Sequence, residues 1–208
     1  MFSFSRIERP AYLFYNNGMA EVSSPGREIG SGGFLDPERI VRQLGLERGD
    51  HVADFGAGHG YFTIPMARLV GGDGRVYAID IQKAVLDIIR AKAKLENILN
   101  IEPVWADLDS PGGSHLKDKF IDFVMIANIL FQAEKPDVLL REAYRVLREG
   151  GRMAIIEWSD ATPSPFGPPP HLRVKKEVAR QMAMDAGLEP EREFETGGHH
   201  YGLLFKKR

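Results

Sequence analysis

The 208-residue chain contains no cysteine. Disulfides, thiolate metal sites and any mechanism with a cysteine nucleophile are therefore excluded. The chain also lacks an apolar run near the roughly 20 residues that a transmembrane helix needs. Residues 1–6 have no continuous apolar stretch of the kind that begins a secretory signal. Together these absences predict a soluble, cytoplasmic protein without a membrane span.

Neither sign of charge is in large excess. The 27 Lys and Arg residues nearly balance the 29 Asp and Glu residues, which leaves a formal net charge of −2. This balance gives no global attraction to nucleic acid or to an anionic membrane, and the basic end of the chain, 206–208, is too short for a nucleic-acid track. His171, His199 and His200 do not offer the tight spacing of a metal site, so no metal is predicted.

The composition that is present is typical of a globular domain. Hydrophobic residues make up 43% and charged residues 27% of the chain. The length suits one compact domain, and no internal repeat is visible. We expect residues 1–35 to form an N-terminal arm or cap and residues 36–208 to form the main domain.

The most informative stretch is 52–62, where an apolar run ends in Asp54 and three glycines then alternate at Gly56, Gly58 and Gly60. A strand that turns into a helix through glycines lets a ligand approach the backbone. A dinucleotide-binding turn has the spacing G-x-G-x-x-G, which would require glycine where Tyr61 stands. The pattern here is D-x-G-x-G-x-G. An ordinary tight turn without a ligand is the alternative for this stretch taken alone.

Strand-like and helix-like segments alternate along the rest of the chain with short connections, which predicts a doubly wound, Rossmann-like α/β sheet. Asp36 and Pro37 predict a helix start, and Gly45 its end. The predicted strands are 50–55, 75–80, 101–105, 119–127 and 152–158, followed by a terminal pair at 189–195 and 201–206. The further predicted helices are 61–70, 83–95, a helix from 135 that ends at 149–151, and 172–186. In the last of these, i, i+4 spacing predicts an apolar face of Val174, Val178, Met182 and Ala186, with the methionine as core filler.

Four features occur in a fixed order along this ladder: Asp54 with its glycines, Asp80 at the end of the second strand, Asp107 after the third, and the segment Leu147–Trp158. In this order they resemble the class I S-adenosylmethionine (SAM) dependent methyltransferases, in particular the type 11 or UbiE-like group. The resemblance covers roughly residues 36–207. It implies a mostly parallel seven-stranded sheet with one reversed strand, with SAM as the cofactor and S-adenosylhomocysteine as its product.

The resemblance also implies roles for individual residues. It places Asp54 near the methionine end of SAM, Asp80 on the ribose and Asp107 on the adenine amine. Asp80 follows Gly58 by about 20 residues, the offset at which related folds hold a ribose; the alternative for Asp80 is a helix N-cap, and for Asp107 an ordinary polar loop. The predicted cofactor-binding residues are Asp54, Gly56, Ala57, Gly58, Gly60, Tyr61, Asp80, Ile81, Ala106, Asp107, Leu108, Asn128 and Phe131.

The sequence says less about the residues that contact the methyl acceptor. If the acceptor is a hydroxyl or an ammonium, a base must remove its proton. The catalytic candidates are Asn128, which only orients, Glu157 and His200, with His199 beside it; a strand-end cap and surface turn residues are the alternatives. The aromatic N-terminal segment and the proline-rich connection 159–170 are candidates for an acceptor-side cap and flap, or else for a packing arm and a structural crossover.

The expected function is transfer of a methyl group from SAM to a small-molecule acceptor. The absence of cysteine removes the thiolate chemistry of arsenite and pyrimidine C5 methylation, and 128–131 departs from the Asn/Asp-Pro-Pro-aromatic signature of adenine N6 methylation. A SAM-binding, non-catalytic partner protein and a methyltransferase acting on protein or RNA stay open as alternatives. A nicotinamide-dependent oxidoreductase would need the glycine spacing that is absent.

Overall fold

The computed structural model describes residues 35–161 and 167–208. Strands and helices alternate through most of this part of the chain, and a short 3-10 turn at Pro170–Leu172 precedes the last helix. In chain order the elements are α1 (Pro37–Gln43), β1 (His51–Phe55), α2 (Thr63–Val70), β2 (Arg75–Asp80), α3 (Lys83–Leu95), β3 (Ile101–Trp105), β4 (Ile121–Ala127), α4 (Pro136–Val146), β5 (Leu147–Trp158), α5 (Lys176–Asp185), β6 (Glu189–Phe194) and β7 (His200–Lys206).

The seven strands form one sheet in the order β3-β2-β1-β4-β5-β7-β6. Neighbouring strands from β3 to β5 are parallel, whereas β7 runs antiparallel to both β5 and β6. The predicted fold class, a doubly wound sheet with one reversed strand, is confirmed.

Helices cover both faces of the sheet. Strand β4 shows the consequence in its alternating side chains: Val124 and Ile126 pack into the core under α4 and α5, while Phe123 and Met125 pack into the core under α1 and α2. A strand buried on both faces has no polar face to expose, which is why its sequence is a nearly continuous apolar run.

Both edge strands of the sheet contain a proline. Strand β3 carries Pro103, as the sequence predicts for an edge position, and β6 carries Pro190. Proline has no N–H to donate and is tolerated where no neighbouring strand needs one.

The first helix begins as its sequence predicts. The Asp36 carboxylate accepts the N–H of Arg39 at 3.0 Å, and Pro37 occupies the first turn. Helix α2 begins at Thr63, two residues later than predicted, because the turn that contains Gly60 (φ 79°) continues through Phe62.

Two helix boundaries differ from their predictions by more than this. Helix α4 ends at Val146, not at the glycines of 149–151, because Leu147 is already extended and pairs with Ile121 as the first residue of β5. The last helix starts at Lys176 rather than at residue 172. Upstream of it, the buried Arg173 guanidinium donates to the carbonyl oxygens of Ser159 and Pro168, which fixes the segment before α5 in another conformation.

The apolar face predicted for the last helix is also partly wrong. Val178, expected in the core, is half exposed, and the two fully buried side chains of α5 are Ala179 and Ala183. Met182 packs at the edge of the core as predicted. Ala179 and Ala183 lie four residues apart and so define the face of α5 that packs against the core, one residue along from Val178 and Met182.

The connection from β3 to β4, residues 106–120, contains no helix and is fastened to α4. The carboxylate of Glu142 accepts the backbone N–H groups of Gly112 and Ser114 and the hydroxyl of Ser114. Arg145, one turn later, donates to Glu142 and to the carbonyl oxygen of Leu116. Hydrogen bonds from two side chains of α4 therefore hold this connection in place, although it has no helix of its own.

The predicted N-terminal arm lies outside the described residues apart from Leu35, and so do residues 162–166 of the proline-rich connection. The division at residue 35 and the roles of these two segments stay predictions. Within the described ranges, no helix has the length and apolarity to cross a membrane.

We expect Glu142→Ala to lower the free energy of unfolding by about 3 kcal/mol, because it removes the buried acceptor of two backbone N–H groups and of the Ser114 hydroxyl, together with one ion-pair partner of Arg145. Chemical denaturation measures the change. The matched control is Asp137→Ala on the same helix, which removes an exposed pair with Arg141 and should leave the melting temperature unchanged. Equal effects of the two variants would contradict the role given to Glu142.

Candidate functional site

A cavity of about 280 Å³ lies where the carboxyl ends of β1, β2 and β4 meet. From β1 the chain proceeds to β2 and β3 on one side, and it then returns to β4 and β5 on the other side. Open α/β sheets bind ligands at such a reversal of strand order. The cavity therefore occupies the place where this fold class carries its site.

Eight of the residues predicted to bind the cofactor line the cavity. They come from the glycine turn, from the ends of β2 and β3 and from the end of β4: Gly56, Gly58, Asp80, Ile81, Ala106, Asp107, Leu108 and Asn128.

The glycine turn requires glycine for both conformation and space. Gly56, Gly58 and Gly60 have φ angles of 72°, 50° and 79°, in the left-handed region that side chains rarely adopt. A Cβ on Gly56 would lie 2.4 Å from Cδ1 of Ile129. The turn thus packs directly against the Ile129 side chain of the loop after β4, and glycine at this position leaves room for that side chain.

Asp80 joins two walls of the cavity. One carboxylate oxygen accepts the N–H of Gly58 at 2.9 Å and the other accepts the N–H of Gln82 at 2.9 Å. The N-cap position of α3 is Gln82, so Asp80 stands just before the cap. A carboxylate offers about four acceptor sites, which leaves Asp80 able to accept hydrogen bonds from a ligand as well.

Asp54 lies behind the turn, away from the cavity wall. Its carboxylate is buried and accepts a hydrogen bond from the Thr63 hydroxyl at 2.5 Å. Burial raises the pKa of Asp54 to about 7; the Thr63 hydrogen bond opposes this shift and the nearby Asp80 charge adds to it.

Asp109 is a cavity residue that the sequence analysis missed. It follows Asp107, whose carboxylate accepts the Asp109 N–H at 3.0 Å. The two oxygens of Asp109 accept the N–H groups of Glu134 and Lys135, 25 and 26 residues away, at the start of α4. Lys135 has no side-chain cap bond of its own, so Asp109 supplies the cap. The sequence gives one indication of this role: Lys135, at the start of α4, is not a residue type that caps helices, so the cap has to come from elsewhere.

Asn128 has an unusual conformation at the end of β4. Its φ is 56°, its N–H donates to the Ile156 carbonyl at 2.8 Å, and its own carbonyl accepts from the Gln132 amide at 2.7 Å. The side-chain Oδ1 of Asn128 is buried without a hydrogen-bond partner among the described residues. An acceptor of this kind in a cavity wall needs a donor from a ligand or from water.

The other two catalytic candidates lie off the cavity wall. Glu157 is fully buried, and its Oε1 accepts the N–H of Leu130 at 2.7 Å. His200 packs against Trp158 with ring centroids 4.1 Å apart, and burial lowers the pKa of His200 to about 3. His199 precedes it in the turn before β7. Contact of these residues with an acceptor stays a prediction.

Four of the predicted cofactor residues also lie outside the cavity lining. Ala57 packs into a small core between β2 and α3. Gly60 faces Ile89 of that helix. Tyr61 is partly exposed and donates its hydroxyl to the Leu35 carbonyl at 2.7 Å, and Phe131 is half-buried.

Further lining residues were not predicted. Some adjoin predicted ones in sequence, as His59, Gln82, Ala127 and Ile129 do; others depend on tertiary packing, as Val85, Gln132, Ala133 and Leu139 do.

Several known proteins are similar to this chain in sequence or in fold. A family described as "Methyltransferase domain" matches residues 52–151, the stretch from β1 into β5. The ubiquinone/menaquinone biosynthesis C-methyltransferase UbiE of Escherichia coli is 34% identical over 116 residues, which are 55% of this chain and 45% of UbiE. The chain thus matches over a little less than half the length of this curated relative.

Solved structures agree. A SAM-dependent methyltransferase from Aquifex aeolicus superposes with a TM-score of 0.77 at 27% identity, covering 84% of this chain and 91% of that one. The 4+2 cyclase SpnF has a TM-score of 0.69 at 16% identity, covering 86% and 88%, which shows a shared fold alone.

Fold, site and relatives together are similar to those of one class of protein. The chain resembles the class I SAM-dependent methyltransferases, whose cofactor is S-adenosyl-L-methionine.

We expect Asp54→Asn to stabilise the ligand-free protein more at pH 8 than at pH 5. The folded-state pKa of about 7 exceeds the ordinary value of 3.8, so ionising Asp54 costs folding free energy as the pH rises from about 4 to 7. Asparagine removes that cost. Thermal unfolding at both pH values gives the difference between variant and wild type. Asp73→Asn, at an exposed turn, is the control, and a pH-independent difference for Asp54→Asn would contradict the assignment.

Proposed function

We propose that the protein transfers a methyl group from SAM to a small-molecule acceptor. The observation that carries this proposal is the Asp80 carboxylate, held between the N–H groups of Gly58 and Gln82 at the cavity edge. It is a fixed, charged acceptor suited to ribose hydroxyls. The next residue, Ile81, lines the same cavity with 59% of its surface exposed, and this apolar surface suits an adenine ring.

The loop after β4 supports the same assignment. The buried Oδ1 of Asn128 lacks a donor among the described residues, and SAM carries several: ribose hydroxyls, an ammonium and the adenine amine. Leaving a buried acceptor unpaired costs roughly 1–3 kcal/mol, so a ligand that satisfies it gains affinity. Asp107, exposed between Ala106 and Leu108 on the other wall, is our proposed partner for the adenine amine.

The chemistry then asks for positioning more than for a reactive side chain. The sulfonium of SAM is already activated, and the enzyme gains by holding the nucleophile, methyl carbon and sulfur in line and by excluding water. The acceptor gains the methyl group and loses a proton, and S-adenosylhomocysteine leaves. The match to UbiE, whose name gives a C-methyltransferase of quinone biosynthesis, makes phenol and quinol rings the first acceptors to test.

We expect Asp80→Ala to weaken SAM binding about tenfold or more, because a charged acceptor to a hydroxyl is worth about 1.5–3 kcal/mol. Isothermal titration measures the dissociation constant. Asp73→Ala removes an acid of the same type at an exposed turn and should bind as the wild type does. Affinity unchanged in Asp80→Ala would remove this carboxylate from the site.

Transfer itself is tested with SAM that carries a labelled methyl group. We expect label in the small-molecule fraction when phenols and quinols are supplied, and none in added protein or RNA. Label in a macromolecule would favour the other acceptor classes. SAM binding without transfer to any acceptor would favour a non-catalytic binding protein.

A further inference from the structure

The loop between β4 and α4, residues 128–135, forms one wall of the cavity and has no regular secondary structure. Its backbone groups therefore need partners elsewhere. Leu130 is only 2% exposed, so water cannot reach its N–H readily, and an unpaired donor there would be costly. The same loop places Asn128 in its left-handed conformation.

The partner of the Leu130 N–H is Glu157, near the end of β5. The carboxyl group lies 2.7 Å from that nitrogen, and its side chain is fully buried. The second oxygen, Oε2, is also buried and has no hydrogen-bond partner among the described residues. Glu157 is thus shut away from the cavity and in contact with the loop that forms its wall.

We propose that Glu157 is a positioning residue that holds the 128–131 loop in the shape that presents Asn128 to the cofactor. The inference rests on the proposed function, since it assumes that the cavity binds SAM. Glu157 acts here through the Leu130 N–H and the loop backbone, and it does not touch the ligand.

The protonation of Glu157 predicts which replacement is tolerated. Burial raises the pKa of Glu157 to about 8, against the lowering effect of the Leu130 N–H and of the nearby backbone N–H groups of Ile129, Phe131 and Trp158. At pH 7 the group is therefore mainly a neutral carboxyl, whose carbonyl oxygen serves as the acceptor. Tyr201, its cross-strand neighbour on β7, donates its hydroxyl to the Val174 carbonyl and so does not serve Glu157.

Two variants of Glu157 distinguish the effect of its hydrogen-bond acceptor from the effect of its ionisable group. Glu157→Gln is neutral, has the same shape and keeps a carbonyl oxygen for the Leu130 N–H. Glu157→Met fills a similar volume with no oxygen acceptor. Met153→Ala is the control for general destabilisation, because Met153 is buried in the same strand and lies outside the loop.

Two measurements are made at pH 7 and at a temperature where every variant is folded: the affinity for S-adenosylhomocysteine by isothermal titration and the hydrogen exchange of the Leu130 amide. We expect Glu157→Met to lose protection of that amide and to bind about tenfold more weakly or worse. Glu157→Gln and Met153→Ala should stay within about twofold of the wild type in affinity, since tenfold corresponds to about 1.4 kcal/mol.

Other results overturn the inference. A Leu130 amide that exchanges freely in the wild type would show that Glu157 does not hold it, whichever variants fold. Equal loss of affinity in Glu157→Met and Glu157→Gln, or in Met153→Ala, would assign the effect to charge or to stability. A wild-type protein that binds no S-adenosylhomocysteine refutes the proposed function instead, and the exchange pattern then tests the hold on the loop by itself.

Discussion

The site depends on one constraint: loops that leave the carboxyl edge of the sheet carry backbone N–H groups that must find acceptors. Acidic side chains from other parts of the chain supply them. Asp80 accepts from the glycine turn, Asp109 from the start of α4, and Glu157 from the loop after β4. Each acid thus fixes a segment distant in sequence. The cavity keeps its shape because its walls are bonded to one another as well as to the sheet.

The acids of the site also differ in burial. Asp54 and Glu157 are enclosed by apolar packing, and burial raises the pKa of each carboxyl, to about 7 and about 8. Asp80 stands at the cavity edge between two backbone donors. Enclosed acids therefore support the scaffold from behind, and Asp80 faces the ligand space. This division matches the separate tasks of holding loops and binding hydroxyl groups.

Local patterns predicted much of the fold. Strands β2 and β3 and helix α3 match their predicted bounds to the residue, because apolar spacing and turn residues mark them. The start of β5 was missed because it depends on pairing with Ile121. The start of α5 was missed because the buried Arg173 donates to two carbonyl oxygens 5 and 14 residues upstream. The site follows the same rule. Gly56, Gly58, Asp80 and Asp107 were found from their motifs, whereas Asp109 was not, since its role depends on backbone N–H groups 25 and 26 residues away.

The prolines in the two edge strands have a consequence for the behaviour of this protein at high concentration. A sheet grows when the outer strand of one molecule pairs with that of another, and this requires an unbroken row of free N–H groups. Pro103 interrupts that row in β3 and Pro190 interrupts it in β6. Each flank of the sheet is thereby a poor template for fibril-like stacking, although the strands between them are rich in the apolar residues that such stacking favours.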